Sequence, residues 1–262
     1  MNFWYGKVAV VTGASGGIGL AISEALASYG VKVIGLARRM DKLVEAAAKI
    51  GKHLFFPMRC DITEEDQILT TFRYIEENFG GVDILVNNAG IFSLSYVMES
   101  DSVECEDIIN TNLMAPAILA REAMYSMRIR QSRGHIINIS DIPLGMYGPS
   151  KYALQALGIE LRHEISAASL NIKLTTISPG YVRTDMLKRL YTYMNVSPDT
   201  LLKDRDIAEI VIYVLGTPES VEVCTDKMPI HKTIHNVTSL SNIIVSNFNP
   251  WYSNNTCIEK CY

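Results

Sequence analysis

Residues 12–19 read Thr12-Gly-Ala-Ser-Gly-Gly-Ile-Gly19, and the reading of the whole chain turns on them. They follow Lys7-Val-Ala-Val-Val11, a short β-branched apolar run, and precede Leu20 to Tyr29, where Ile22, Leu26 and Tyr29 recur at helical spacing. The order is strand, glycine-rich turn, helix start. Gly13 can take a turn's unusual backbone angles, Gly17 lets backbone amides approach a pyrophosphate, and Gly19 lets the helix lie close on the sheet. The N–H groups and dipole at the helix start add to the preference for an anion.

Outward from this turn the same alternation continues. Val31 to Leu36 reads as a second strand and Met40 to Ile50 as a helix. His53 to Met58 is a third strand, and Glu64 to Phe79 a helix with Ile68, Phe72, Ile75 and Phe79 on one face. Asp83 to Val86 is a fourth strand leading into Asn87-Asn-Ala-Gly90. A long helical stretch from about Val103 to Arg130, interrupted near Pro116, precedes a fifth strand, Gly134 to Ser140. A helix from Pro149 to about Ala168 and a sixth strand, Ile172 to Ile177, complete the series. Such alternation predicts an α/β fold: a parallel sheet, helices on both faces, and a ligand crevice beyond the carboxyl ends of the strands. Gly13 to Gly19, Arg38, Asp61, Asn87, Ser140 and Pro179 all fall at those ends.

With 262 residues, 48% hydrophobic and 20% charged, the chain can bury one substantial core. Its net charge of -4 offers no basic surface for nucleic acid. Met1 to Gly6 has neither a basic start nor a small-residue cleavage site, and the apolar run after it is too short for a signal-peptide core or a membrane span. A cytoplasmic protein is therefore expected. Of five cysteines, Cys60 and Cys105 fall inside the regular pattern while Cys224, Cys257 and Cys261 crowd the end, which suits free thiols in a reducing compartment. Cys257 and Cys261 lack a second ligand pair, so no metal site is expected. From Cys224 the chain becomes rich in asparagine, dividing it into a domain over 1–223 and an atypical tail over 224–262 in which Leu240 to Val245 reads as a short strand.

Tyr147 and Lys151 are four residues apart at a helix start, and hence on one face. An ammonium beside a phenol lowers the phenol's pKa towards the range of a working proton donor. Pro149 belongs in the first turn of a helix, which places Tyr147 at the mouth of the ligand crevice.

The loop Thr12 to Gly19, Asp61, Asn87-Asn-Ala-Gly90, Asn112, Ser140, Tyr147, Lys151 and Ser178-Pro-Gly180 with Thr184 stand in the order found in short-chain dehydrogenases/reductases, which the chain resembles from about Lys7 to Pro218. The wording around Arg38-Arg39, Tyr147 to Ala153 and Leu215 to Pro218 is similar to insect farnesol dehydrogenase-like members and vertebrate carbonyl and steroid reductases. The resemblance implies a Rossmann-type doubly wound sheet and a nicotinamide cofactor. It makes Tyr147 the group that exchanges a proton with the substrate oxygen, Lys151 its activator and a holder of the nicotinamide ribose, Asn112 the anchor of a relay water, and Ser140 the group that orients the carbonyl. It also implies cofactor contacts at Gly13, Ser15, Gly17, Ile18, Gly19, Arg38, Arg39, Asp61, Ile62, Asn88, Ala89 and Gly90, and at Pro179, Gly180, Val182 and Thr184, with assembly into a homodimer or homotetramer.

Cofactor choice rests on charge. An acid at the end of the second strand accepts the ribose hydroxyls of NAD, whereas arginine there pairs with the extra phosphate of NADP. This chain reads Leu36-Ala-Arg-Arg39 with no acid before Asp41, which favours NADP(H), with Arg38 the leading contact. Phe92, Leu144, Met146, Tyr181 and Met186 to Met194 are candidates for an apolar pocket, suited to a hydrophobic alcohol or carbonyl compound such as an isoprenoid, retinoid or steroid. Two departures from the resemblance stand out. Only Asp141 to Met146 separates Ser140 from Tyr147, about half the usual span, and Asp141 holds the place of the usual catalytic serine. These leave a second reading open, a protein that binds NADP without turnover.

Overall fold

Val8 to Val11 is apolar at every position because both of its faces are covered. In β1 (Val8–Thr12), Ala9 and Val11 enter one core and Val8 and Val10 the other, as the alternation of side chains along a strand requires. The computed structural model describes residues 1–93, 95–140, 145–186, 201–218, 221–225 and 243–247. After β1 come α1 (Gly17–Ser28), β2 (Lys32–Ala37), α2 (Met40–Ile50), β3 (Phe55–Arg59), α3 (Glu65–Phe79) and β4 (Ile84–Asn87). They are followed by α4 (Ser102–Ile109), α5 (Ala115–Ile129), β5 (Gly134–Ile139), α6 (Tyr147–Ala167), β6 (Ile172–Ile177) and α7 (Asp204–Gly216).

The six strands form one parallel sheet in the order β3-β2-β1-β4-β5-β6. This is the Rossmann-type, doubly wound arrangement, and the direction in which successive strands are added reverses between β1 and β4, where a crevice opens above the strand ends. On one face Ile22 and Leu26 of α1, Leu43 of α2 and Ile207 and Val211 of α7 pack together. On the other, Ile68 and Ile75 of α3, Leu119 of α5 and Leu161 of α6 do the same. The opposite end of the sheet is knotted by Asp83, whose buried carboxylate accepts the Val8 amide at 2.9 Å and Arg130 Nη1 at 3.0 Å. The indole of Trp4 donates to the Leu215 carbonyl at 2.8 Å, fastening the N-terminus to the end of α7.

The interruption expected near Pro116 is a π turn over Asn110–Met114, in which the Ala115 amide reaches back to the Asn110 carbonyl. Proline carries no N–H, so the ordinary i to i−4 bond from position 116 to the Asn112 carbonyl cannot form. After β6, Val182 bridges to Leu202, and the Arg183 amide donates to the Leu202 carbonyl at 2.8 Å, tying the chain after β6 to the start of the segment that leads into α7. β7 (Val221–Thr225) and β8 (Ile243–Asn247) pair antiparallel as a separate two-stranded sheet. The short strand expected over Leu240 to Val245 thus begins and ends slightly later. No helix among the described residues is long and apolar enough to cross a membrane.

Candidate active site

The glycine loop is held by a hydroxyl. Thr12, the last residue of β1, donates from Oγ1 to the Val86 carbonyl at 3.3 Å and accepts the amides of Asn88 and Ala89 at 3.0 and 2.9 Å. Asn88 returns the contact, its Nδ2 donating to the Thr12 carbonyl at 2.9 Å. β1 and β4 are thereby locked at the point where the crevice begins. Gly13 has φ 68, in the left-handed region that favours glycine. A Cβ on Gly19 would run into the Gly13 carbonyl oxygen, so the close packing expected of that glycine is what the structure has.

Above the loop lies a cavity of about 490 Å³. Of the residues expected to touch a cofactor, Gly13, Ser15, Gly17, Ile18, Arg38, Arg39, Asp61, Ile62, Asn88, Ala89, Gly90, Pro179, Val182 and Thr184 line it, together with Tyr147, Lys151 and Ser140. Gly19, Asn112 and Gly180 do not line it; Gly19 packs behind the loop and Asn112 behind Gly90. Both arginines are exposed on the wall, and Arg39 Nη2 donates to Ser15 Oγ at 3.1 Å, which ties the end of β2 to the loop. Asp61 caps its own turn, accepting the amide and hydroxyl of Thr63 at 3.1 and 2.8 Å. Cys60 also lines the wall, and burial pushes its thiol above the ordinary value.

At the other end of the cavity, α6 starts at Tyr147, so the Tyr147 to Lys151 spacing places both on one face, as expected. Lys151 is 4% exposed; its Nζ donates to the Ile139 carbonyl at 3.1 Å and sits 5.5 Å from the centre of the Tyr147 ring. Asn112 is fully buried, accepting the Ile91 amide at 2.9 Å and donating to the Ile91 carbonyl and to Ser150 Oγ, both at 3.0 Å. Ser150 in turn donates to the Tyr147 carbonyl at 2.7 Å. Ser140 is fully buried too, and its hydroxyl donates to the Lys151 carbonyl at 3.4 Å while accepting Gln155 Nε2 at 3.3 Å. The serine thus leans on α6.

Of the side chains expected to form an apolar wall, Met186 lines the cavity; Phe92 and Met146 do not line it, although Phe92 meets the Tyr147 ring edge-on at 5.4 Å. Tyr181 does not line it; its carbonyl accepts the Leu202 amide. Asp141, Leu144 and residues 187–194 lie outside the described residues. The sequence pattern shows neither the bracing role of the Thr12 hydroxyl nor the parts of Ser150 and Gln155. For Gln155 a signal existed: it follows Lys151 by four residues and so shares its helix face.

This arrangement can hold an extended anionic ligand on the loop and place a phenol and an ammonium at its far end. Comparison with known proteins agrees. A family model described as short chain dehydrogenase matches residues 7–195. The chain is 39% identical over 236 residues to farnesol dehydrogenase of Aedes aegypti, with 85% of this chain and 95% of that one covered. Its structure superposes on a metagenomic short-chain oxidoreductase in complex with NADP, with a TM-score of 0.70, 28% identity, and 82% and 93% of the two chains covered. A short-chain dehydrogenase/reductase from Burkholderia phymatum in complex with NAD shares the fold, with a TM-score of 0.76, 23% identity, and 82% and 87% covered. The family model over residues 7–195 and the 39% identity to farnesol dehydrogenase across 85% of the chain place it in the short-chain dehydrogenase/reductase family of oxidoreductases.

Proposed function

We propose that the protein, through residues 1–223, is an NADP(H)-dependent oxidoreductase that moves hydride between the nicotinamide and a hydrophobic alcohol or carbonyl compound. The observation that carries this reading is Lys151, an ammonium buried to 4% exposure within 5.5 Å of the Tyr147 ring, at the end of a cavity that starts on the glycine loop. The residues present fit a dinucleotide: a left-handed glycine at the turn, a glycine-rich loop along the cavity, and two exposed arginines at the end of β2. When bound, the nicotinamide supplies or accepts the hydride.

Tyr147 gives the proton to the substrate oxygen in reduction and removes it in oxidation, and the charge of Lys151 favours the phenolate that this exchange requires. Ser140 orients the oxygen after giving up its contact with α6. Asn112 holds a relay water through its main-chain carbonyl, because its carboxamide is engaged by Ile91 and Ser150 and Pro116 cannot supply the usual amide. Arg38 and Arg39 bind the 2′-phosphate as a charge-assisted pair, Arg39 already resting on Ser15. Because NAD and NADP both occur on this fold, these side chains, not the architecture, support NADP. The apolar side chains of Ile91 and Met186 on the cavity wall, with the resemblance to farnesol dehydrogenase, support a substrate of isoprenoid, retinoid or steroid type, and the family habit supports a homodimer or homotetramer.

One observation favours a second reading, NADP binding without turnover: the Ser140 hydroxyl faces α6. NADPH oxidation by the purified protein against hydrophobic aldehydes, ketones and quinones, with the reverse reaction on alcohols, separates the two. The leading reading requires turnover that Tyr147→Phe abolishes. NADPH binding with no turnover on any compound would favour the second.

A further inference from the structure

The segment after β4 is clasped twice by the helical stretch that follows it. At its start, the carboxamide of Asn112 holds both the amide and the carbonyl of Ile91. Further along, one carboxylate oxygen of Glu104 accepts the hydroxyls of Ser93 and, at 3.3 Å, Ser95, while the Ser95 amide donates to Ser93 Oγ at 3.0 Å. Glu104 is itself fixed in the first turn of α4, where its amide donates to the Asp101 side chain at 2.7 Å. Between the two clasps lies Phe92, whose ring stands edge-on to Tyr147. Beyond them, the Ser95 carbonyl oxygen lies against Gly145, which has φ 53 and no room for a Cβ, two residues before Tyr147. A carboxylate that accepts two hydroxyls at once is a stronger tether than a neutral pair.

We propose that Glu104 is a positioning residue for Tyr147: by holding Ser93 and Ser95 it keeps Phe92 against the tyrosine ring and the Ser95 carbonyl against the turn that starts α6. Its role in turnover rests on the proposed function. Its role in holding the segment does not. Misplacement of a reacting group by about an ångström costs up to about a hundredfold in rate, so loss of this tether is felt at the phenol.

The test uses the whole chain with Glu104→Ala, Ser93→Ala, the double variant and Glu104→Gln, with farnesol and NADP as the assay pair. Glu104→Ala is expected to lower kcat about tenfold or more and to shift its pH profile, with NADPH affinity unchanged. The double variant is expected to lose no more than Glu104→Ala alone, and Glu104→Gln, which keeps a carbonyl acceptor, to recover most of the rate. In parallel, amide hydrogen exchange in Glu104→Ala should quicken over 91–98 and over 145–147. Exchange that quickens over 91–98 alone, with an unchanged kcat pH profile, would overturn the proposal. If the unaltered protein turns over neither farnesol nor any other compound of the hydrophobic panel, the proposed function fails, and exchange at 145–147 still decides whether Glu104 positions Tyr147.

Discussion

Tyr147 is 5% exposed and Lys151 4%, yet both line a cavity, so the ammonium proposed to act on the phenol would do so with little screening from water. Lys151→Met, which keeps the volume and removes the charge, should cut turnover about a hundredfold or more and move the alkaline limb of the kcat pH profile upward, because the phenolate loses its counter-charge. At the opposite end of the cavity, Arg39→Ala should weaken NADPH binding about tenfold to a hundredfold while leaving NADH affinity where it was, as expected for one or two hydrogen bonds to a charged group. Fluorescence titration with both cofactors reads the difference. Equal losses for the two would mean that Arg39 supports the loop through Ser15 and does not select the phosphate.

At the scale of the element, what anchors the crevice is the turn between β1 and α1 and its attachment to β4. Thr12→Val keeps the shape of the side chain but leaves the amides of Asn88 and Ala89 without their acceptor, at a cost of about 1–3 kcal/mol each. A lower midpoint in denaturant together with weaker NADPH binding is the expected outcome; a wild-type midpoint would contradict it. The loop itself was legible in the sequence because its glycines, its strand and its helix are neighbours in the chain. Tyr147 and Lys151 were legible for the same reason, being one helical turn apart. Thr12 was not, since its partners lie 74 to 77 residues away and a threonine ending a strand is unremarkable by itself. The break between α4 and α5 was visible through Pro116, but its π form and the way it turns Asn112 onto Ile91 depend on packing that no local pattern records. Glu104 reads in the sequence as one more acid in a helix's first turn. Only the fold brings Ser93 and Ser95 to it.

At the scale of the whole molecule, the sheet carries polar groups in its interior that tie its stability to pH. His135 on β5 is buried, its Nε2 2.9 Å from Thr175 Oγ1, and burial lowers its pKa from 6.5 to about 3, with Lys173 and Arg133 adding to the effect. The folded chain keeps this imidazole neutral, whereas the unfolded chain takes up a proton below about pH 6.5. The unfolded state therefore binds more protons between pH 6.5 and about 3, so stability falls as pH drops through that window, by at most about 1.4 kcal/mol per pH unit, and His135 adds no slope above it. Urea unfolding of the parent and of His135→Gln from pH 5 to 8 should show the parent alone losing this share of stability below pH 6.5; parallel curves would contradict it. The same sheet holds the glycine loop at one end of the cavity and the phenol at the other, and the proposed reaction requires the two to act together on one cofactor. The most direct measurement is NADPH oxidation, with NADH beside it, by the parent protein and by Tyr147→Phe on the same panel of hydrophobic carbonyl compounds. NADPH-dependent turnover in the parent and its loss in Tyr147→Phe with NADPH still bound are expected; equal turnover by both proteins, or none by the parent, would contradict a joint role for loop and phenol.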